Sequence, residues 1–531
     1  MKLAAIDIGT NSIHMIIVEA IAQQNFQVIE REKEMVKLGV GVFANGNLSD
    51  LAFNNGLDVI ERYVQLAEHM GVDEVITAAT SAIREAQNGE AFLNQVVRRT
   101  GLAPRIISGK EEARLILLAV RNSIALEDQT ALVFDIGGGS TEAVIGNRHA
   151  ILFSESLQLG VLRLLDMFEN QGPIGHEGRH VLEAHIQFVA REAISRIQEI
   201  GFTKVIGTSG SIRTLGEAAH RNAGGEPWQS VNAETVQLET IQILTNELVG
   251  SKADDRSKFD EISEKRADAI HLGGILLVQL LNMVGAKEIT LCDASLREGM
   301  ILDYLEQHPQ RAISFPAQTN LRDRKAAQLI QKYESDWQSN AHVAKLALQL
   351  FDQTRTLHHY TEFERDLLKF SALLHDIGKF ISFRKHHKNS RDIINRTIPR
   401  GFNDRETSLI ANLTRYHCKT APTKKQKHFR KQSKPDRQII RILSGLLRIA
   451  VCLDKAKSQR VASISCQISG DAITITVDGR GPLDLEIDAA QGKVQVLADA
   501  LKREVSMHRL LPVPTACTEA PAMGKKEASN P

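Results

Sequence analysis

The stretch Ala131-Leu-Val-Phe-Asp-Ile-Gly-Gly-Gly-Ser-Thr-Glu142 decides the reading of this chain. It begins as an apolar run, the pattern of a buried strand. At Asp135 the run gives way to Gly137, Gly138 and Gly139, then Ser140 and Thr141. Glycine has no Cβ and tolerates positive φ, so the backbone here can approach a ligand closely. Successive N–H groups in such a turn form an anion-binding nest. The flanking carboxylates, Asp135 and Glu142, suit Mg²⁺ held next to a bound phosphate. The chain opens on the same pattern, Leu3-Ala-Ala-Ile-Asp-Ile-Gly-Thr-Asn-Ser12, which places Thr10, Asn11 and Ser12 in the equivalent loop. Both copies read Asp-Ile-Gly-x-x-Ser, and an apolar run returns after each, Ile13 to Val18 and Ala143 to Ile145. One copy alone fits an ordinary glycine turn. Two in one register read as a hairpin with a phosphate-sized loop, made twice, and two facing loops would clamp a phosphate between two lobes.

This layout resembles the actin, sugar kinase and Hsp70 fold, with its duplicated α/β, ribonuclease H-like lobes. Strands are expected at 3–8, 13–20, 26–39 and 74–79, with helices at 49–70, 90–100 and 109–124, making a first lobe over 1–125. The scheme repeats over 126–308, with strands at 131–135, 142–146, 149–155, 203–207 and 288–291. Helices there are expected at 159–168, 175–199, 211–220, 234–249, 261–284 and 295–306. Pro309 and the polar stretch to Pro316 read as a hinge into a His- and Lys/Arg-rich helical domain over 309–460. Residues 461–510 read as a small α+β domain, because Ala462–Ile468 and Ala472–Val477 alternate with period two around Gly470-Asp471. The tail 511–531 is expected to be disordered.

Composition sets outer bounds. A chain of 531 residues exceeds the size of a single core. Its 43% hydrophobic and 24% charged content are those of a soluble globular protein. A net charge of +1 excludes a global basic field for nucleic acid or membrane, so any attraction for a polyanion must be local. The five cysteines have no CxxC spacing and read as reduced thiols. No signal pattern precedes the first strand and no apolar run reaches transmembrane length, so a cytoplasmic protein is expected.

Three further motifs carry chemistry. In Ile106-Ile-Ser-Gly-Lys-Glu-Glu-Ala-Arg114, Ser108 and Glu111 fit a capping box, which leaves Glu112 to be explained. It is either a solvated first-turn acid or a general base that orients water onto a phosphate. Ala78-Ala-Thr-Ser-Ala-Ile-Arg84 leaves a strand and ends in an arginine suited to phosphate oxygens, or else a helix-surface arginine. Gly207-Thr-Ser-Gly-Ser-Ile-Arg213 is a third glycine-serine loop between a strand and a helix, offering Gly207, Ser209 and Gly210 to an anion.

Together with Arg266-Ala-Asp268 and Leu296-Arg-Glu-Gly299, these motifs occur in the order seen in the exopolyphosphatase / guanosine pentaphosphate phosphohydrolase (Ppx/GppA) family, which residues 1 to about 306 resemble strongly. The full length is similar to the long form of that family. The resemblance implies that Glu112 is the catalytic base, that Asp135 and Glu142 bind Mg²⁺ (or Mn²⁺), and that Arg84 and Arg266 contact phosphates. It also implies a homodimer. One departure is visible: His271-Leu-Gly273 stands where the family often has Pro-Gly.

In the helical domain, His342, the pair His375-Asp376 and Asp454 follow the H…HD…D order and resemble the HD metal-dependent phosphohydrolase fold. An additional divalent metal is expected there, with His386 and His387 as weaker candidates for a second ion. Between Arg415 and Arg448 lie nine further Lys and Arg against Asp436 alone, a candidate polyanion track without interleaved aromatics for bases. The expected function is therefore an exopolyphosphatase acting on inorganic polyphosphate. The alternatives are hydrolysis of guanosine pentaphosphate and, more remotely, a non-catalytic nucleotide-binding regulator. No specific nucleic acid and no membrane partner is expected.

Overall fold

A computed structural model of the chain describes residues 1–22, 25–126, 128–168, 173–308, 320–397 and 400–510. The expected hinge up to Pro316 and the expected tail from 511 lie outside these residues. By contacts the chain forms two compact units, Met1–Gln328 with Ile394–Ser408, and Leu329–Ile393 with Leu409 onward. This division differs from the composition shift near 309. Ile394–Ser408 belongs with the first unit because its charges are spent there. Arg400 Nη1 donates to Ser123 Oγ at 2.9 Å, Arg322 pairs with Glu406 at 2.8 Å, and the Asp404 N–H donates to Glu234.

The first unit contains two sheets of one design. β1 (Lys2–Ile8), β2 (Ile13–Ala22) and β3 (Asn25–Glu34) form an antiparallel meander, and β4 (Glu74–Ala79) and β5 (Arg105–Ile106) add in parallel to give the order β3-β2-β1-β4-β5. β6 (Ala131–Ile136), β7 (Thr141–Gly146) and β8 (Ile151–Leu157) repeat the meander. β9 (Lys204–Thr208) and β11 (Glu288–Leu291) are the parallel pair, and β10 (Thr235–Gln237) is an extra antiparallel edge. The sequence reading merged β10 into a helix, which begins at Leu238, and carried the third strand five residues too far. The helix expected over 261–284 is two, Glu264–Ala267 and Ile270–Met283.

Side-chain alternation explains why β1 and β6 read as unbroken apolar runs: both faces are covered. From β1, Ala4, Ile6 and Ile8 enter the core of the first lobe, while Leu3 and Ala5 turn the other way. From β6, Leu132, Phe134 and Ile136 enter the core of the second lobe, while Ala131 and Val133 turn the other way. The opposite faces meet in one shared core, filled by Ile116 and Ala119 of the helix Gly109–Arg121 and by Met300, Ile301 and Leu305 of the helix Leu296–Gln307. By the same period of two, Asp7 shares a face with Leu3 and Ala5, and Asp135 shares one with Ala131 and Val133. Both aspartates therefore point to the mouth of the shared core.

The second unit packs the helices Trp337–Gln353, Glu362–Leu374 and Lys434–Leu453. It also holds a three-stranded sheet of β12 (Val461–Ser469), β13 (Ala472–Gly479) and β14 (Glu504–Arg509). β12 and β13 form the expected hairpin; β14, parallel to β13, was not legible in the sequence.

The two helices of the shared core touch at backbone level. A Cβ on Gly299 would stand 2.1 Å from the carbonyl oxygen of Leu115, one turn beyond Glu112. Gly299→Ala is expected to lower stability by about 1–3 kcal/mol through overpacking, although alanine is intrinsically the better helix former. Denaturant midpoints check this, and a neutral or stabilising effect would contradict the close crossing.

Candidate active site

The two glycine hairpins and the third loop converge on a cleft of about 530 Å³. β1 and β2 leave Gly9 to Ser12 as the first turn, closed by the Gly9 N–H donating to the Ser12 carbonyl at 3.2 Å. β6 and β7 leave Gly137 to Ser140, closed in the same way at 2.9 Å. The loops face one another: a Cβ on Gly138 would meet Thr10 Cβ at 3.1 Å and the Asn11 nitrogen at 3.3 Å. Arg163 fixes the second loop, donating to the Gly139 carbonyl at 2.6 Å and to Glu85 at 2.7 Å while lying over the Phe43 ring. The third loop turns through Ser209 at φ 87°, and the helix Ser209–Asn222 follows, with Arg266 against Gly210.

Asp7, Glu112, Asp135 and Glu142 line the cleft, together with Glu32, Asp268 and Asp293. Asp135 and Glu142 stand directly opposite on β6 and β7, a like-charge pairing that is unfavourable without a cation. Glu112 sits in the first turn of its helix, whose cap is Ser108 accepting from the Glu111 N–H at 3.2 Å. The Glu111 carboxylate is taken up by Arg114 at 2.8 Å, so of the expected capping box only the Ser108 half forms. Burial pushes Glu112 well above the usual carboxylate range; Glu142, Asp7 and Asp135 add to this, and Arg84 opposes it. Burial and the charges of Glu142 and Asp7 push Asp135 up in the same sense. Burial raises Glu142 too, held back by hydroxyls of Ser156, whose Oγ donates at 2.8 Å, and Ser140. Burial lifts Asp7 to about 6 against the charge of Arg297, and its Oδ1 is buried without a hydrogen-bond partner. Clustered, buried, partly unpartnered carboxylate oxygens are the donor set of a hard divalent cation. The residues expected to hold Mg²⁺ fit it, and Asp7 joins them.

A cationic wall also lines the cleft, made of Arg31, Lys33, Arg213, Lys265, Arg266 and Arg297. Burial lowers Lys33 to about 8, and the charges of Arg266, Arg297 and Arg213 push it the same way. His14 is held neutral by burial and by Arg297, whose Nη1 lies 3.2 Å from its Nδ1. Behind the wall Glu298 is fully buried. Burial would raise it, but Arg297, Arg31 and Arg400 win and hold it at about 2.

Of the expected phosphate contacts, Thr10, Asn11, Ser12, Gly137, Gly138, Gly139, Ser140, Ser209, Gly210 and Arg266 line the cleft. Three do not. Thr141 is buried and donates to the Leu159 carbonyl, and Gly207 packs against Ile212 and Ile289. Arg84 donates to the Ile107 carbonyl at 2.7 Å and lies 3.5 Å from Glu112 Oε2, beside that carboxylate. Asp7, Lys33, Arg213 and Arg297 were missed. The repeated Asp-Ile-Gly pattern could have supplied Asp7, and Arg213 and Arg297 lie inside motifs already singled out. Lys33 carried no local signal. His271 is buried in the helix Ile270–Met283, so the departure from Pro-Gly falls in a helical first turn.

In the second unit the four expected metal ligands are differently engaged. Asp454 accepts from Ser339 Oγ at 2.8 Å and from the Gln459 N–H at 2.9 Å. His342 Nε2 is buried without a hydrogen-bond partner. Asp376 Oδ2 is held by Lys379 and lies 3.5 Å from both His375 Nε2 and Lys457 Nζ. Among the described residues, the group of three or more His, Cys, Asp or Glu whose ligand atoms all lie within 4.8 Å is instead His386, His417 and Cys418. His387 is outside it, its ring edge-on to His386. In the basic stretch Lys424, Lys425, Lys427, Arg430, Lys431 and Lys434 are exposed. Arg448 is internal, donating to the Tyr416 and Lys419 carbonyls. Cys292, Cys418, Cys452 and Cys466 are free thiols, and among the described residues no helix is long and apolar enough to cross a membrane.

The chain is similar over almost its whole length to known proteins. It is 27% identical over 522 residues to the guanosine-5'-triphosphate,3'-diphosphate pyrophosphatase of Aeromonas hydrophila, covering 97% of this chain and 99% of that one. An exopolyphosphatase structure from Cytophaga hutchinsonii superposes with a TM-score of 0.55 at 28% identity, covering 58% of this chain and 98% of that one. A Ppx/GppA structure from Aquifex aeolicus gives 0.50 at 27%, over 58% and 98%. The two sheets are the duplicated actin-like lobes of these relatives. The pattern of the Ppx/GppA phosphatase family matches residues 16–308 and that of Ppx/GppA phosphatase domain III matches residues 321–484, so the chain belongs to the Ppx/GppA phosphatase family.

Proposed function

We propose that this phosphoanhydride hydrolase is an exopolyphosphatase that releases terminal orthophosphate from inorganic polyphosphate. The observation that carries the reading is the cleft itself: it gathers buried carboxylates together with Arg31, Lys33, Arg213, Lys265, Arg266 and Arg297. Burial and the neighbouring Arg266, Arg297 and Arg213 together depress Lys33, and a dense polyanion offsets such crowded positive charge. Among the described lining residues there is no Phe, Tyr or Trp on which a base would stack, which favours a chain of bare phosphates. A second reading, hydrolysis of guanosine pentaphosphate, is favoured by the near full-length likeness to a protein named for that reaction. We also expect a homodimer in the cytoplasm, as the long family form implies.

The terminal phosphoryl group would lie between the loops at Thr10–Ser12 and Gly137–Ser140, its oxygens taking backbone N–H donors. Mg²⁺ on Asp135 and Glu142, with Asp7 beside them, would offset charge on the phosphate when bound. Glu112 would hold a water in line with the phosphorus and take its proton. Its raised proton affinity matches a base that works near neutral pH. Arg84, 3.5 Å away, moderates that affinity and orients the carboxylate. Water oxygen bonds to phosphorus, the bridging P–O bond breaks, and the shortened chain leaves among the wall arginines, which stabilise the charge spread in the transition state.

Glu112→Gln is expected to keep polyphosphate binding and to lower kcat about a hundredfold or more; near-normal turnover in the folded variant would remove Glu112 from the chemistry. Without divalent cation, a buried acid with a raised folded pKa stabilises the fold below its unfolded value, and that contribution is lost as pH rises through the folded value. Asp135→Asn should therefore raise Tm in chelator at pH 8, with the difference shrinking toward pH 5, and a lower Tm at pH 8 would contradict the unfavourable cluster. The substrate is decided by phosphate release from long-chain polyphosphate, tripolyphosphate, guanosine pentaphosphate and ATP side by side. Charge reversal at Lys424, Lys425 and Lys427 is expected to raise KM for the long chain alone. A preference for guanosine pentaphosphate over every polyphosphate would establish the second reading.

A further inference from the structure

Three histidines of the second unit are locked in one tautomer by the same device. His375 Nδ1 lies 2.7 Å from the Ala372 carbonyl, His386 Nδ1 2.9 Å from the Phe383 carbonyl, and His417 Nδ1 2.7 Å from the Thr414 carbonyl. A carbonyl oxygen only accepts, so each Nδ1 carries the proton and each neutral ring presents a bare lone pair at Nε2. His386 Nε2 and His417 Nε2 nevertheless face each other at 3.2 Å, with Cys418 Sγ 3.8 Å from His386 Nε2. Two lone pairs at that distance repel, and one thiol proton can serve only one of them. A cation between the two nitrogens removes the conflict.

We propose that His386 Nε2, His417 Nε2 and Cys418 Sγ bind a zinc-class divalent ion. The spacings fit the ion. Zn–N bonds of about 2.0–2.1 Å and Zn–S bonds of about 2.3 Å at tetrahedral angles separate two nitrogens by roughly 3.3 Å and nitrogen from sulfur by roughly 3.6 Å. Asp376 Oδ1 lies 3.8 Å from His386 Nε2, while Oδ2 is already occupied by Lys379. Metal-bound imidazoles characteristically donate the other ring N–H to a backbone carbonyl, as His386 and His417 both do. Two imidazoles and a thiolate select zinc over magnesium, so this site differs in chemistry from the all-oxygen cluster of the cleft. Binding releases the Cys418 thiol proton to solvent and leaves a thiolate on the metal. With three protein donors the site leaves one position for water, and it ties the start of the helix at His386 to the end of the helix at Tyr416. The proposal is independent of the substrate assigned to the cleft.

Full-length protein is loaded with zinc, freed of excess metal and measured for bound zinc, and a parallel sample is titrated with Co²⁺. The parent is expected to retain one zinc, to gain in Tm on loading, and to give a thiolate-to-cobalt charge-transfer band. Cys418→Ser should lose that band, and His417→Gln should lose the zinc. Asp135→Asn should keep both. A cobalt spectrum of the parent without a thiolate band would overturn the proposal even if neither variant folds. So would equal zinc in the parent and a folded Cys418→Ser/His417→Gln double variant, which would mean that the two imidazoles share a proton.

Discussion

The active cleft depends on a charge conflict held in place by apolar packing. β1 and β6 each bury both faces, and the faces that meet in the shared core end in Asp7 and Asp135. The helix Gly109–Arg121, wedged into that core by Leu115, Ile116 and Ala119, brings Glu112 to the same place. Desolvation and mutual repulsion then act on all four acids, because the packing leaves them nowhere else to go. Such a cluster works against folding. It persists because the strands and helices that carry it are fixed by burial well beyond the cleft, the usual arrangement where a site trades stability for function.

The second wall of the cleft is the electrostatic counterpart. Lys33, Arg213, Arg266 and Arg297 crowd one another, and Glu298, set behind them in a capping box with Ser295, balances part of the charge, as does Glu217 beside Arg213 and Arg266. Glu298 stays ionised in complete burial because Arg31, Arg297 and Arg400 surround it. A buried acid with several cationic partners anchors those partners in position. The cleft thus presents fixed positive charge together with carboxylates suited to a cation.

The third arginine around Glu298 comes from Ile394–Ser408, a segment far along the chain that returns to the first unit. Composition gave no sign of this return, since the segment is flanked by helical sequence of the same character. Its assignment rests on ion pairs and hydrogen bonds formed by Arg400, Asp404 and Glu406. A similar limit applies to the histidines of the second unit. His386, His417 and Cys418 lie about thirty residues apart in sequence, and nothing local to either stretch marks them as partners.

The duplicated hairpin loops, most of the strands and the Ser108 cap ahead of Glu112 were legible in the sequence. Each is written in local patterns: a period of two, glycine where a strand ends, a cap three residues before an acid. Asp135 and Glu142 were legible for the same reason, because a tight antiparallel turn fixes which residues stand opposite. Tertiary structure alone decided which side chains share the cleft across lobes. It set Arg84 beside Glu112, added Lys33 from a strand that reads as ordinary alternation, and gathered His386, His417 and Cys418 into a group that the expected His342, His375, Asp376 and Asp454 do not join. The physical reason is that backbone periodicity sets the face a residue occupies, whereas the charge it meets there is set by segments whose separation in sequence carries no information about their distance in space.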